Sequence, residues 1–369
     1  MIAKTLARIA LAPLALLTLG ASDLPPAKGE MGFILSEFAP SIYQGKDDCP
    51  EGLAGILSEN YLASLALPER ARLSLPENAK TLKSSWLAWS TGPNHTNVCA
   101  DPEKFPDRGP QKTIQGRVAP GLDLDQGHPA CGHAEFASPD GRSGIDNQAY
   151  RAMGCSRNYR GVDGTAGDIV KGDNMLLSSG EHAMVLLLRG VDSLENDSSV
   201  DVIFASTDDR PILDSRQNFL TGGSYSVGKN PAWRNVLHGW IDKGVLLTEP
   251  IDIRLRRTFG HGGMRGAKAE WDLHAMRLRL VFQADGSIKG LLGAYQTPRN
   301  VLYSTIAGGL GAATVAGIDC AAQYNTLMKL ADGGRDPKTG QCTTVSVGLD
   351  IAGVSAFVFD RLPEKVARK

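Results

Sequence analysis

Residues 131–155, CGHAEFASPDGRSGIDNQAYRAMGC, bring two cysteines, a histidine, three acidic residues and four glycines into one short stretch. Two chemistries suit those residue types. The first is a hard-oxygen cation site. Asp140, Asp146 and Asn147, with Glu135 and nearby carbonyls, offer oxygen ligands, and Gly141 and Gly144 permit the tight turns that a calcium loop needs. Calcium takes six to eight oxygens at roughly 2.3–2.6 Å. Just upstream, DLDQG sets Asp123 and Asp125 at alternate positions, as at the start of a calcium loop. Neither segment has the twelve-residue EF-hand spacing with its closing glutamate. The second chemistry is zinc held by His128, Cys131 and His133, which requires Cys131 to be a thiolate. A plainer reading competes with both: Ser138-Pro139-Asp140-Gly141 is a turn signature, Asp146 caps a short helix over NQAYRAM, and Gly154 ends it.

Elsewhere the chemistry is thinner. His261-Gly262-Gly263 in GHGGMRG is like a backbone-donor loop of esterases, and Ser226 in SYSVG is the nearest nucleophile to pair with His261. That segment lacks the helix that should follow a nucleophile elbow. Acid/base hydrolysis would draw on two of Glu181, Asp192, Asp201, Glu270 and Asp272. Trp233, Trp240 and Trp271, with Tyr225 and Tyr295, are the aromatics available for stacking on a sugar. There is no P-loop, dinucleotide fingerprint, CxxC pair or haem-attachment motif.

The compartment decides between several of these readings. Residues 1–22 have the form of a signal peptide: basic Lys4 and Arg8, an apolar run from Ile9 to Leu19, then Gly20, Ala21 and Ser22 before Asp23. The apolar run is too short to span a bilayer, and no later stretch is apolar enough, so an integral membrane protein is not expected. The predicted location is periplasmic or secreted. Cys49, Cys99, Cys131, Cys155, Cys320 and Cys342 all follow the signal, and an even set in an exported chain reads as three disulfides. Proximity along the chain suggests Cys131–Cys155, Cys320–Cys342 and Cys49–Cys99. The formal charge is -1, and -3 once Lys4 and Arg8 leave with the signal, which gives no footprint for nucleic acid.

The elements that must position these residues fall into two regions. Residues 23–30 read as a linker. Residues 31–165 read as an α/irregular, disulfide-containing region, with a helix through Leu53, Leu57, Tyr61 and Leu65 ended by Pro68 and a second carrying Leu82, Trp86 and Trp89. Residues 166–369 alternate as strands do: Ile251, Ile253 and Leu255, then Met276, Leu278, Leu280 and Phe282, face one way, and Asp285-Gly286 marks a hairpin. One helix is inserted, capped by Asp319 and stopped by Gly333-Gly334. The expected fold is an antiparallel β-sandwich or jelly-roll, continuous or not with the N-terminal region. The function this supports is binding or structural, with calcium or carbohydrate as ligand and a cell-envelope component as partner. The alternative is an exported hydrolase acting on a polysaccharide or an ester.

Overall fold

The computed structural model describes residues 29–361 except 56, 92–95, 97, 109–110, 162–163, 260–266 and 304–317. The signal segment 1–22, most of the linker, and the glycine loop with His261 lie outside the described residues. Eleven strands are present among the described residues: β1 (Gly29–Pro40), β2 (Met184–Val191), β3 (Asn196–Ser206), β4 (Gly223–Ser226), β5 (Arg234–Asp242), β6 (Val245–Thr248), β7 (Ile251–Phe259), β8 (Ala267–Phe282), β9 (Ile288–Gln296), β10 (Gly333–Arg335) and β11 (Cys342–Phe359).

The sheet runs β1-β2-β3-β5-β6-β8-β9-β11, and β11 then pairs back to β1. Every neighbour in that ring is antiparallel. The protein is therefore an eight-stranded antiparallel β-barrel with additional strands, not the expected sandwich or jelly-roll. Alternation of buried and exposed residues is common to both architectures; what distinguishes them is the pairing of the first strand with the last, which no local pattern encodes. Of the remaining strands, β4 lies parallel to the end of β11, β7 makes a hairpin with the first half of β8, and β10 pairs with the start of β11.

The barrel interior is a packed core. Phe33, Leu35 and Phe38 from β1 meet Met184, Leu186 and Leu188, then Val200, Val202 and Phe204, and on around through Leu278, Leu280, Leu292, Val347 and Leu349. Strand β2 is apolar on both faces because its outer residues Val185 and Leu187 are also covered, by Tyr225 and Val227 of the β4 region. Trp271 from the β7–β8 hairpin reaches the edge of Phe38, ring centres 5.2 Å apart, and Phe38 in turn touches Phe204.

Antiparallel closure sorts the connections by end. Short hairpins join β2–β3, β5–β6 and β8–β9 at one end; the expected Asp285-Gly286 turn is there, with Gly286 at φ +78°. The long connections gather at the other end and form a cap. They include α1 (Leu57–Ser64), α2 (Leu67–Leu73), α3 (Ala79–Ser90), α4 (Gln148–Met153) and α5 (Asp168–Ser178) between β1 and β2. Between β9 and β11 come α6 (Pro298–Val301) and α7 (Cys320–Lys329), and Asp319 caps α7 as expected by accepting from the N–H of Ala321 and Ala322. Pro68 does not end a helix but opens α2, where its missing N–H costs nothing.

All six cysteines are in disulfides, but in none of the pairs that proximity suggests. The bonds are Cys49–Cys155, Cys99–Cys320 and Cys131–Cys342. The last two tie the β1–β2 connection to α7 and to the start of β11, so they fasten the cap to the barrel. They span 221 and 211 residues of sequence. Closing loops of that length restricts the unfolded chain more than a short loop would, roughly 5 kcal/mol each in the chain-entropy account.

Candidate cation site and the barrel mouth

The segment from Ala119 to Asp125 drapes over the outer wall of the barrel where β9 and β11 run side by side. Leu122 and Leu124 are buried there, while Asp123 is exposed and Asp125 half-exposed. The wall accepts this segment because its own residues are glycines: a Cβ on Gly293 would sit 2.9 Å from Leu124 Cδ2. Asp146 comes from the far side of the turn at 138–142 and pairs with Leu122 through the backbone, Asp146 N–H donating to the Leu122 carbonyl at 3.0 Å.

Asp146 is not the helix cap that its position suggests. Asn147 takes that role for α4, its Oδ1 accepting from Tyr150 N–H, and Gly154 ends the helix as expected. The Asp146 carboxylate is turned the other way. Its Oδ2 accepts the N–H groups of Leu124 at 2.8 Å and Asp125 at 3.3 Å. Asp123 Oδ1 accepts from Gln126 N–H and Asp125 Oδ1 from Gly127 N–H, so each carboxylate is fixed by the loop through one oxygen. Gln126 and Gly127 both sit at positive φ, 55° and 75°, which lets the loop fold back to make these bonds. One ligand oxygen each from Asp123, Asp125 and Asp146 lies within 4.8 Å of the others, an arrangement able to hold a metal ion. Two oxygens on opposite sides of a calcium ion are separated by roughly 5 Å, so the spacing fits one coordination sphere.

The electrostatics are those of a site short of positive charge. Burial pushes the Asp146 carboxyl up to about 7, opposed by the two backbone donors and reinforced by the negative charges of Asp125 and Asp332. Asp332, which begins the approach to β10, is pushed up to about 6 by burial, although Ser346 donates to it through both N–H and Oγ–H. Arg277 on β8 touches the loop, its Nη1 donating to the Asp123 carbonyl at 3.1 Å.

The other residues named from sequence go elsewhere. Asp140 is exposed at the tip of its turn and forked onto Arg142 Nε at 3.0 Å. Glu135 is exposed. Asn147 is buried and held by the Pro120 carbonyl as well as by Tyr150. Cys131 is bonded to Cys342 and is no thiolate, His128 is exposed, and His133 Nε2 meets the Ala331 carbonyl. The sequence shows the alternation of Asp123 and Asp125 but not their meeting with Asp146. Asp332 and Arg277 carried no sequence signal at all.

Of the acid/base and stacking candidates, Glu270, Asp272 and Trp233 come together on the β7–β8 hairpin, and the others lie apart from them. Glu270 and Asp272 share Arg254 on the outer face of the β7–β8 hairpin, Asp201 faces His238 on the barrel wall, and Asp192 lies in the β2–β3 hairpin. Trp271 and Tyr225 are core residues, Trp233 donates to Glu270, and Trp240 is partly exposed on β5. Ser226 sits on β4, its N–H given to Asp209.

A second polar group fills the barrel mouth under α5. Arg257 at the end of β7 is buried, its guanidinium 3.7 Å from the centre of the Trp271 ring and donating to the Asn300 carbonyl. His182 is fully buried, its Nε2–H given to the Asp173 carbonyl at 3.1 Å. Burial holds His182 down at about 4 and lifts Asp173 to about 6, with Arg257 opposing the rise of Asp173.

Comparison with known protein families, curated proteins and solved structures gives no match to this chain. Three disulfides fit a secreted or periplasmic protein, and no described helix is long and apolar enough to cross a membrane.

Proposed function

We propose that this is an exported binding or structural protein whose cap is ordered by a calcium ion and held on its barrel by the disulfides. The reading rests on one observation above the others: Asp123, Asp125 and Asp146 offer oxygens within 4.8 Å of one another across two separate chain segments. Assembling carboxylates that repel one another costs stability, and a divalent cation offsets that cost. All-oxygen donors with no imidazole or thiolate favour a hard cation, and calcium tolerates the irregular geometry of a surface loop better than magnesium. The ion would join the draped segment to the strand-end before α4, so its role is to order the cap rather than to do chemistry.

The test is a thermal melt in calcium against chelator. A cation that binds only the folded state raises stability by mass action, so Tm should rise with calcium concentration and fall back with chelator. An unchanged Tm across that series, in wild-type protein at neutral pH, would remove the reading.

A further inference from the structure

Between the barrel mouth and its cap lies a small, partly open cavity. It is lined by Ser41 at the end of β1, Asn147 and Tyr150 of the α4 region, and Arg257, Trp271 and Gln296 from the rim of the barrel. Two of these side chains are left unsatisfied. Trp271 Nε1–H and Gln296 Nε2–H are both buried and have no hydrogen-bond partner. Trp271 and Gln296 are each only 2% exposed, so bulk water does not serve them. Leaving a buried donor without an acceptor costs roughly 1–3 kcal/mol, and two on one cavity call for an occupant.

We propose that this cavity binds a single small anion of halide size, with chloride as the physiological form. The cavity has a volume of about 20 Å³. That is room for one or two atoms of water size, since a single water needs about 10–15 Å³ by the same measure. An organic ligand does not fit. The chemistry of the lining selects among what does. Both orphan groups are donors, and the guanidinium of Arg257, also on the lining, is stacked 3.7 Å from the Trp271 ring centre. A halide accepts from all of them and donates nothing. A water in the same place accepts from two donors at most and must still place its own two hydrogens, whereas a halide accepts from all three groups and has none to place.

This inference does not depend on the calcium reading, and its test is run in chelator so that the two fail separately. At fixed ionic strength and pH, the wild-type protein should melt about 2 °C higher in 100 mM chloride than in the same concentration of gluconate, the size that millimolar binding gives a domain this large. Trp271→Phe keeps the ring under Arg257 and removes only the Nε1–H; it should lose that difference, and Gln296→Met should reduce it. Crystals of the wild-type protein grown or soaked in bromide should show an anomalous peak inside the cavity. That diffraction experiment needs no variant, so a misfolded Trp271→Phe leaves the idea testable. A cavity that holds water alone in bromide, or a melt indifferent to the anion, overturns it.

Discussion

Gly293 on β9 stands directly opposite Gly348 on β11, and the pair makes a flat patch on the outer wall of the barrel. A Cβ on Gly348 would lie 2.7 Å from Asn147 Nδ2 and 3.0 Å from the Pro120 carbonyl; one on Gly293 would meet Leu124 and Leu122 at 2.9 and 3.0 Å. Strand glycines usually weaken a sheet, and here they are what lets another backbone lie against it. Gly348→Ala should therefore cost roughly 1–3 kcal/mol of unfolding free energy by overpacking. It should also disturb the Asn147–Pro120 bond beside the carboxylates. Gly132→Ala, where an added Cβ meets nothing within 4 Å, is the control and should be neutral. Equal stability of the two variants in urea titrations would show that the draped segment yields freely.

Removing the charge of Asp146 should move stability in opposite directions with and without calcium. In Asp146→Asn the amide oxygen can still accept from Leu124, while the repulsion from Asp125 and Asp332 disappears. In chelator the variant should be as stable as wild type or up to about 1 kcal/mol more so. In calcium the wild type should gain and the variant should not. Melting both proteins in both conditions checks this; a full calcium shift in Asp146→Asn would place the ion elsewhere.

The bond between Cys131 and Cys342 fixes the loop after Asp125 to the first residue of β11. Replacing both cysteines with alanine should lower the unfolding free energy by roughly 3–5 kcal/mol. Because the bond also limits how far the Asp123–Asp125 segment can lift from the wall, the same variant should bind calcium more weakly, read as a smaller Tm shift at a given calcium concentration. Loss of stability with an unchanged calcium response would separate the staple from the site.

What could be read from the sequence follows from how local each feature is. Met276, Leu278 and Leu280 alternate and are buried, so β8 was legible, as were α3, the cap of α7 and the Asp285-Gly286 hairpin. Strand β1 is hidden in the linker and irregular region because a bulge between Leu35 and Glu37 shifts its inward residues to Phe33, Leu35 and Phe38, which breaks the period of two. Without β1 the ring cannot be closed on paper, and a sandwich is the natural expectation. The disulfide pairing is hidden for the same reason: it follows the approach of the cap to the barrel, not spacing along the chain. At the candidate site the residue types were visible, but Asp146 was assigned to the helix it precedes. Only the docking of the draped segment, more than twenty residues upstream, turns its carboxylate toward Leu124 and Asp125.

The buried pair at the barrel mouth predicts an unusual acid response. His182 falls from 6.5 to about 4 on folding, so the unfolded chain takes up that proton first and stability is lost as pH drops from about 6.5 to 4. Asp173 rises from 3.8 to about 6, so the folded chain takes up that proton first and stability is gained as pH drops from about 6 to 4. Over that window the two slopes oppose each other, each worth roughly 3 kcal/mol in full. Asp173→Asn keeps the backbone carbonyl that holds His182 and removes the offsetting titration. The variant should therefore lose stability on acidification from pH 6.5 to 4 more steeply than wild type, by roughly 2–3 kcal/mol across the window. Urea titrations at half-unit pH steps give the slopes directly. Parallel curves for the two proteins would mean that Asp173 is already charged and compensated in the folded state throughout the range.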